Sequence, residues 1–204
     1  MTKRRSSAGK RCLRCKIHFT LCFCDKIHSV DVKTRVSIIM HHRETHLTSN
    51  TANLAKLVLP NCQISLRGLP DKPFSAESLN LSPEEMPLYL FPHEDAVELT
   101  PEFMEQHKDK KIHLIVPDGT WSQAVKFYRR EEGLAGIQCA KLPPGEPGRY
   151  RLRKSSDENR LSTYEAIARA LGILEFDLNV QKEMEVIFDT MVESVIRGRT
   201  AFEN

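Results

Sequence analysis

Short apolar blocks separated by polar residues run along the chain and predict the order of its strands and helices. Each block is four or five residues long and is bounded by turn or polar residues, which is typical of buried strands in a parallel sheet. The strands predicted in this way are 36–40, 63–66, 88–91, 112–116 and, more weakly, 138–142, which ends at two prolines.

Helical patterns alternate with the predicted strands. They are marked by capping residues, by proline at a first helical position and by apolar residues at helical spacing. The predicted helices are one capped by Ser49 or Asn50, then 101–107, 122–130, one opened by the capping box of Ser162 and Glu165, and 180–197, which Gly198 is expected to end.

Alternating strands and helices imply an α/β domain with a mostly parallel sheet. In such sheets ligands bind just beyond the carboxyl ends of the strands. The loops after residues 40, 91, 116 and 142 are therefore where we expect a functional site.

Four cysteines lie close together near the start of the chain, with the spacing Cys12-x2-Cys15-x6-Cys22-x-Cys24. In a reducing compartment such a cluster is typical of a metal site rather than of disulfides. Four thiolates complete the tetrahedron that zinc prefers, so we predict a structural Zn²⁺ with no open position for catalysis. We predict two units, a basic arm with this zinc module at 1–30 and the main domain at 31–204.

The net charge of +3 is small, but the basic residues are unevenly distributed. Residues 1–16 contain seven basic side chains and no acidic one, and arginines alternate in a stretch near residue 150. Cations beside a zinc module favour contacts with RNA phosphates, and a plain solvated surface explains the same pattern about equally well. The candidate RNA-binding residues are Arg4, Arg5, Lys10, Arg11, Arg14, Lys16, Arg129, Arg149, Arg151 and Arg153.

Apolar runs in the sequence are all shorter than the about 20 residues that a membrane helix needs, and the N-terminus has no apolar segment typical of a signal peptide. With 204 residues, 40% of them hydrophobic, the chain has enough apolar material for one full domain with a small appendage. We expect a cytoplasmic protein without a membrane partner, and no protein partner is implied.

The segment Pro117–Ser122 follows the fourth predicted strand and contains a carboxylate, a glycine, a hydroxyl and the only tryptophan of the chain. Such a turn between a buried strand and a helix is a usual place for a ligand. A helix cap is an equally good explanation, with Asp118 or Thr120 as the capping residue and Trp121 in the core.

Two further loops follow predicted strands. After the third strand, Phe91 can stack on a flat ring and the acids after His93 can hold hydroxyls or an ammonium group, although a solvated turn is the more common explanation. After the first strand, the residues from His41 to His46 are expected to line a binding pocket rather than to bind a metal.

Five motifs that occur in a fixed order indicate a particular protein family. They are CLRC…CFC, HHRE…NTANLAKLVLPN, LYLFPHEDA, PDGTWSQA and RLSTYEAIARAL, and they span about residues 11–175. Together they resemble the DTW-domain family, which is named for an Asp-x-Thr-Trp signature, here Asp118-Gly119-Thr120-Trp121. The compact chain is most similar to the bacterial members.

The resemblance implies a tRNA-uridine aminocarboxypropyltransferase. Such enzymes transfer the 3-amino-3-carboxypropyl group of S-adenosylmethionine to N3 of a tRNA uridine and release methylthioadenosine. It also implies a SPOUT-like fold with helices on both faces of the sheet and a C-terminal trefoil knot, in addition to the N-terminal zinc module. Residues 31–204 would then be the DTW catalytic domain.

The resemblance also assigns roles to residues. Asp118 is the candidate catalytic group, because a carboxylate at a strand mouth can accept the N3 proton or position the uridine. Thr120 and Ser122 would bind the amino-acid end of S-adenosylmethionine or simply cap a helix, and for the Thr163–Glu165 turn a capping role is at least as plausible. The expected cofactor-binding residues are Phe91, Pro92, Asp118, Gly119, Thr120, Trp121, Ser122, Leu142, Thr163 and Glu165.

Two other classes of protein remain compatible with the residues. One is a SPOUT-type RNA methyltransferase, which would release S-adenosylhomocysteine instead of methylthioadenosine. The other is a non-catalytic zinc-bearing RNA-binding protein, which would bind tRNA without consuming S-adenosylmethionine.

Overall fold

The computed structural model describes residues 10–47, 50–150, 152 and 161–202, with side chains up to residue 198. The alternative helix cap Ser49 and four of the candidate RNA-binding residues lie outside these ranges; the four are Arg4, Arg5, Arg151 and Arg153. Within the described ranges, no helix is long and apolar enough to cross a membrane.

Strands and α-helices alternate along most of the chain, as predicted. The strands are β1 Arg35–His41, β2 Cys62–Arg67, β3 Glu85–Leu90, β4 Val97–Glu98, β5 Lys111–Asp118 and β6 Gln138–Lys141. The helices are α1 Ala52–Val58, α2 Pro101–Gln106, α3 Trp121–Arg130, α4 Thr163–Leu174 and α5 Leu178–Phe202. The two-residue strand β4 was not predicted, because so short a segment has no periodicity of its own.

The six strands form one sheet in the order β2-β1-β5-β3-β6-β4, and all neighbouring pairs are parallel. Successive side chains of a strand point to opposite faces, so the apolar strands feed two separate cores. This α/β architecture with a parallel sheet confirms the predicted class.

The larger core lies on the face that carries α1, α4 and α5. Strand residues such as Val36 and Leu114 pack there against Tyr164 of α4 and Phe188 of α5, whose rings stack with centroids 5.3 Å apart. The smaller core lies on the opposite face, where Phe127 of α3 packs against Ile39, Tyr89 and Ile115. Helices therefore cover both faces of the sheet, as predicted.

The cysteine-rich segment packs on the face with the larger core. Its buried side chains Ile17 and Phe23 belong to the same apolar cluster as α4 and α5. A Cβ atom on Gly198 would lie 3.0 Å from Cδ1 of Leu21, so the absent side chain makes room for the cysteine-rich segment. The prediction that Gly198 ends the last helix is wrong, because this glycine serves a close contact inside α5.

A buried polar network crosses β1, β5 and β3 on the α3 face. Ser37 Oγ lies 2.7 Å from His113 Nε2, and Gln63 donates to the same hydroxyl at 2.8 Å. His113 Nδ1 lies 3.3 Å from a carboxylate oxygen of Glu85. Burial of the imidazole and the nearby Arg35 guanidinium lower the pKa of His113 to about 4.

Candidate active site and metal centre

The carboxyl ends of β1 and β5 lie at the switch point of the sheet, where the chain leaves these neighbouring strands in opposite directions, and we call this place the crevice. Met40 and Asp118 are paired in register at this edge. From β1 the chain passes through α1 to β2 on one side, and from β5 it passes through α3 to β6 on the other side. The two helices lie on opposite faces of the sheet. Such a point of divergence is where open α/β sheets bind their ligands.

Asp118 lies in this crevice and is held by residues from two other segments. Its Oδ2 accepts a hydrogen bond from Asn50 Nδ2 at 2.7 Å, and its Oδ1 accepts one from Thr163 Oγ1 at 2.5 Å. Only 6% of the residue is exposed. Asn50 in turn accepts from the backbone N–H of Asn53 at the start of α1. The carboxylate is therefore fixed in one orientation at the point where β5, α1 and α4 meet.

In the turn after Asp118, Thr120 is the N-cap residue of α3. Its hydroxyl accepts from the N–H of Gln123, and the Gln123 side chain accepts from the N–H of Thr120 at 2.7 Å, which completes a capping box. A Cβ atom on Gly119 would lie 2.7 Å from Gln123 Oε1, so a side chain there would push the Gln123 amide out of its capping position. Capping and ligand binding were alternatives for this segment, and the structure assigns the capping to Thr120 and leaves Asp118 in the crevice.

Trp121 is not a core residue. It is the first residue of α3, it is 51% exposed, and its ring lies against Phe91 with centroids 4.7 Å apart and planes inclined by 41°. Phe91 itself is buried and follows β3, the strand beside β5. This aromatic pair gives the same edge of the sheet an apolar surface that is open to solvent on the tryptophan side.

The other expected cofactor-binding residues lie around this edge. Pro92 is exposed directly after Phe91, Ser122 is exposed as the second residue of α3, and Leu142 is half-buried directly after β6. Because Phe91 N–H donates to the Ala140 carbonyl at 2.8 Å, the loops after β3 and β6 are neighbours. The structure therefore brings the residues predicted from separate motifs to one edge.

Thr163 and Glu165 have different surroundings although they share one turn. Thr163 donates to Asp118, whereas both carboxylate oxygens of Glu165 accept from backbone N–H groups, one from Ser162 at 2.8 Å and one from Arg149 at 2.5 Å. Glu165 is buried and completes the capping box of α4. Its contacts are those of a structural residue that anchors the loop after β6.

The loop after β1 borders the crevice with two histidines. The rings of His41 and His42 lie 4.8 Å apart, and burial, followed by the neighbouring His42, lowers the pKa of His41. Gly68, which follows β2, has φ of +83°, and a Cβ atom there would lie 3.1 Å from His41 Nε2. The loop thus packs closely against the next strand end, and a larger residue at position 68 would be strained by the positive φ and would have to displace the His41 ring.

The four cysteines meet in one cluster. Cys12 Sγ lies 3.7 Å from Cys24 Sγ, Cys15 Sγ lies 3.7 Å from Cys22 Sγ, and all four sulfur atoms lie within 4.8 Å of one another. A tetrahedral zinc site with Zn–S bonds of about 2.3 Å has sulfur atoms about 3.8 Å apart. The donor set therefore fits Zn²⁺, and two of the sulfur pairs already have the spacing of such a site.

Electrostatics in the cluster also favour a cation. Backbone N–H groups of Cys15 and Arg14 lower the pKa of the Cys12 thiol to about 6, so this ligand is readily available as a thiolate. Burial and the neighbouring cysteines raise the pKa of Cys24, because charged sulfur atoms so close together repel one another. A divalent cation removes that repulsion.

The turn after Cys15 places Lys16 at φ of 63°, in the left-handed region.

The described candidate RNA-binding residues do not share one surface. Lys10, Arg14 and Lys16 are exposed on the cysteine-rich segment, on the α5 face of the sheet, while Arg129 is exposed on α3 at the opposite face. Arg11 is half-buried. Arg149 lies 3.3 Å from Glu185 and 3.2 Å from Asp189 of α5, so its charge is balanced within the protein.

Two functional candidates were missed from the sequence. Asn50 was considered only as a helix cap, and its contact with Asp118 joins residues that are far apart in the chain. Lys126 was not considered, although its spacing from Arg129 places both on one helical face.

The sequence of the chain matches a known protein family. A family model described as the DTW domain matches residues 9–196. The chain therefore belongs to the DTW domain family, as its motifs predicted.

The chain is also similar to curated proteins named tRNA-uridine aminocarboxypropyltransferase 2. The protein from Drosophila melanogaster is 28% identical over 170 residues, which cover 81% of this chain and 66% of that protein. The one from Macaca fascicularis is 26% identical over 177 residues, which cover 85% of this chain and 59% of that protein. The chain thus spans about three fifths to two thirds of the length of these relatives. No solved structure matches it.

Proposed function

We propose that this protein transfers the 3-amino-3-carboxypropyl group of S-adenosylmethionine to N3 of a uridine in tRNA and releases methylthioadenosine. The observation that carries the proposal is the carboxylate of Asp118, oriented by Asn50 and Thr163 in a crevice beside the exposed ring of Trp121. Membership of the DTW domain family and the names of the similar proteins support the same reaction.

The residues around the crevice suit a ligand with one flat apolar end and one charged end. Phe91 and Trp121 offer an aromatic surface for adenine, with Pro92 and Leu142 at its border. Thr163 and the N-terminal turn of α3 with Gly119 and Ser122 lie on the polar side. S-adenosylmethionine has both features, and when bound it supplies a sulfonium-activated carbon as the electrophile.

Asp118 is the proposed acceptor of the uridine N3 proton. In the transfer a bond forms between N3 and the sulfonium-linked carbon, the carbon–sulfur bond breaks with its electron pair going to sulfur, and the N3 proton passes to the carboxylate and then to water. Asn50 and Thr163 hold the carboxylate in place. Because the carboxylate is already oriented, the proton transfer does not require the entropy loss of positioning it. This pre-orientation is the main contribution of the site to the rate.

We propose further that residues 1–30 form a zinc-bearing unit attached to the catalytic domain of residues 31–204. The fit of four sulfur atoms to one Zn²⁺ supports a structural ion, since no ligand position is left for a substrate. Contacts of Ile17 and Phe23 with the larger core explain how the unit is held on the α5 side.

The SPOUT-like class with a C-terminal trefoil knot is also a proposal. The chain after β6 returns to the crevice as α4, where Thr163 contacts Asp118 and Glu165 binds the backbone of Arg149. A return of this kind is compatible with a threaded segment. Tracing the backbone from residue 143 to 163 in a crystal structure tests it, and a segment that passes outside every loop contradicts the knot.

Product analysis tests the proposed reaction. Purified protein is incubated with S-adenosylmethionine and total tRNA from cells that lack the enzyme, and nucleosides and small products are identified by mass spectrometry. We expect aminocarboxypropyl-uridine and methylthioadenosine in equal amounts. A methylated nucleoside with S-adenosylhomocysteine would replace the proposal by an RNA methyltransferase, and tRNA binding without consumption of S-adenosylmethionine would leave only an RNA-binding protein.

A further inference from the structure

Helix α3 carries three exposed cations on one face. Lys126, Arg129 and Arg130 have the spacing i, i+3, i+4, which places them side by side on a helix. Together with Ser122 and Val125 they line a shallow cavity of about 320 Å³. We call Ser122, Lys126, Arg129 and Arg130 the α3 cationic face.

The cations of this face differ in their surroundings from Arg67 and Arg149. Within the described part of the chain, none of the three has a carboxylate oxygen within 4.0 Å, whereas Arg149 has two acidic partners and Arg67 pairs with Glu131. Neighbouring like charges at this spacing destabilise a helix slightly. Their positive field is therefore available to an anion from outside the protein.

The α3 cationic face begins at the crevice. Trp121, which opens α3, lies three residues after Asp118. With a rise of about 1.5 Å per residue, the cations lie roughly 8–14 Å from Trp121 along the helix axis. A chain of phosphates bound along α3 would thus place a neighbouring base at the exposed Trp121 ring, and exposed aromatic rings beside cations are typical platforms for unpaired bases.

We propose that the α3 cationic face binds the phosphodiester backbone of tRNA next to the target uridine and guides that nucleotide past Trp121 to Asp118. This inference rests on the proposed function. It assigns the substrate surface to α3, with Lys126 and Arg130 in addition to Arg129, and it excludes Arg149, whose charge is balanced by Glu185 and Asp189.

The test compares two triple variants with the same change of charge. Lys126→Ala/Arg129→Ala/Arg130→Ala removes the cations of α3, and Lys108→Ala/Lys110→Ala/Lys111→Ala removes three cations at the opposite edge of the sheet, before and at the start of β5. Alanine is a good helix former, so α3 is expected to persist, which circular dichroism checks. The affinity for total tRNA from cells lacking the enzyme is measured by filter binding over a range of salt concentrations.

We expect the α3 variant to bind tRNA at least tenfold more weakly at low salt. The slope of log K against log salt should fall in magnitude by about 2 to 3, since each lost phosphate contact removes about 0.7–0.9. The turnover at saturating tRNA should stay within about threefold of the unmodified protein, while KM for tRNA rises. The β5 control should match the unmodified protein in affinity and slope.

Equal affinity and slope in the α3 variant and the unmodified protein would overturn the inference, and so would an equal loss in both triple variants or no tRNA binding by the unmodified protein. The proposed function fails separately. If tRNA binds through α3 and no aminocarboxypropyl-uridine forms, the surface is supported and the proposed reaction is wrong.

Discussion

The cysteine cluster, which is the proposed zinc centre, and the Asp118 crevice are built in opposite ways. The four cysteines come from one short segment, and their sulfur atoms meet at distances that fit Zn²⁺. Asp118 is positioned by Asn50 and Thr163, which come from segments far away in the chain. The first site depends on local turns, whereas the second exists only when the sheet, α1 and α4 have assembled. Loss of the cysteine cluster can therefore leave the groups around Asp118 in place, and a change at Asp118 can leave the cluster intact.

Loss of zinc is expected to have the largest effect. Cys22→Ser removes one thiolate, and because so short a segment cannot build a core by itself, we expect the metal to provide much of its folding free energy. We expect a zinc content near zero and a melting temperature lower by about 10 °C or more. Metal analysis and calorimetry measure these changes, with Cys62→Ser as a control that lies outside the cluster.

In that control the zinc content should stay at the level of the unmodified protein. Full zinc content in Cys22→Ser would mean that this cysteine is not a ligand. The cysteine cluster would then not be the four-thiolate site with which the Asp118 crevice is compared.

Acid is expected to weaken the sheet that carries both sites. The pKa of His113 is lowered to about 4 in the folded protein, against about 6.5 in the unfolded chain, so the unfolded state binds more protons between these values. The contribution of neutral His113 to the stability of the fold is complete above about pH 6.5. As the pH falls toward 4, the free energy of unfolding decreases by up to about 3 kcal/mol. Urea unfolding at several pH values measures it.

His113→Gln removes the titrating group, so its stability should fall less steeply with acid over the same range. Zinc release at low pH affects both proteins alike, and the difference between them isolates His113. Equal pH slopes would show that this histidine does not titrate on unfolding.

Thr163→Val should separate positioning from folding in the crevice. The variant keeps the shape of the side chain and removes the donor to Asp118, so we expect a loss of about 1–2 kcal/mol in stability. The turnover should fall about 10- to 100-fold, with KM for tRNA unchanged, because the carboxylate is no longer held in one orientation. Steady-state kinetics and urea unfolding provide both values.

Thr163→Ser retains a hydroxyl and should recover most of the turnover. If the valine variant loses stability but not turnover, Thr163 has only a structural role.

The smallest expected effect is at the zinc centre. Lys16 has a left-handed backbone conformation that costs a residue with a side chain up to about 1 kcal/mol. Lys16→Gly should therefore raise the stability of the zinc-bound protein slightly or leave it unchanged. A clear loss in calorimetry would indicate that the lysine side chain, rather than the turn, stabilises the module.

The same contrast explains what the sequence could predict. The meeting of the four cysteines was predictable because their spacing is local, and the apolar runs that form β1, β3 and β5 were predictable because each is a continuous buried strand. Asn50 and Thr163 could not be assigned to Asp118, since nothing in a single sequence reports which distant loops meet. Gly198 was predicted to end α5 for the same reason: only the fold brings Leu21 against it.

The exposed ring of Trp121 is a second example. A single tryptophan beside a strand end has the pattern of a core residue as well as of a binding residue. Its half-exposed position follows from the Thr120 capping box, which makes Trp121 the first residue of α3, and from the ring of Phe91 beneath it.

The proposed division of roles is that Asp118 acts in the transfer while the zinc ion only supports the fold. Its most direct test is the single-turnover rate of aminocarboxypropyl transfer by Asp118→Ala, measured on preparations whose zinc content and circular dichroism match those of the unmodified protein. We expect no detectable transfer by the variant. Transfer at a near-normal rate would exclude Asp118 as a catalytic group and contradict the account.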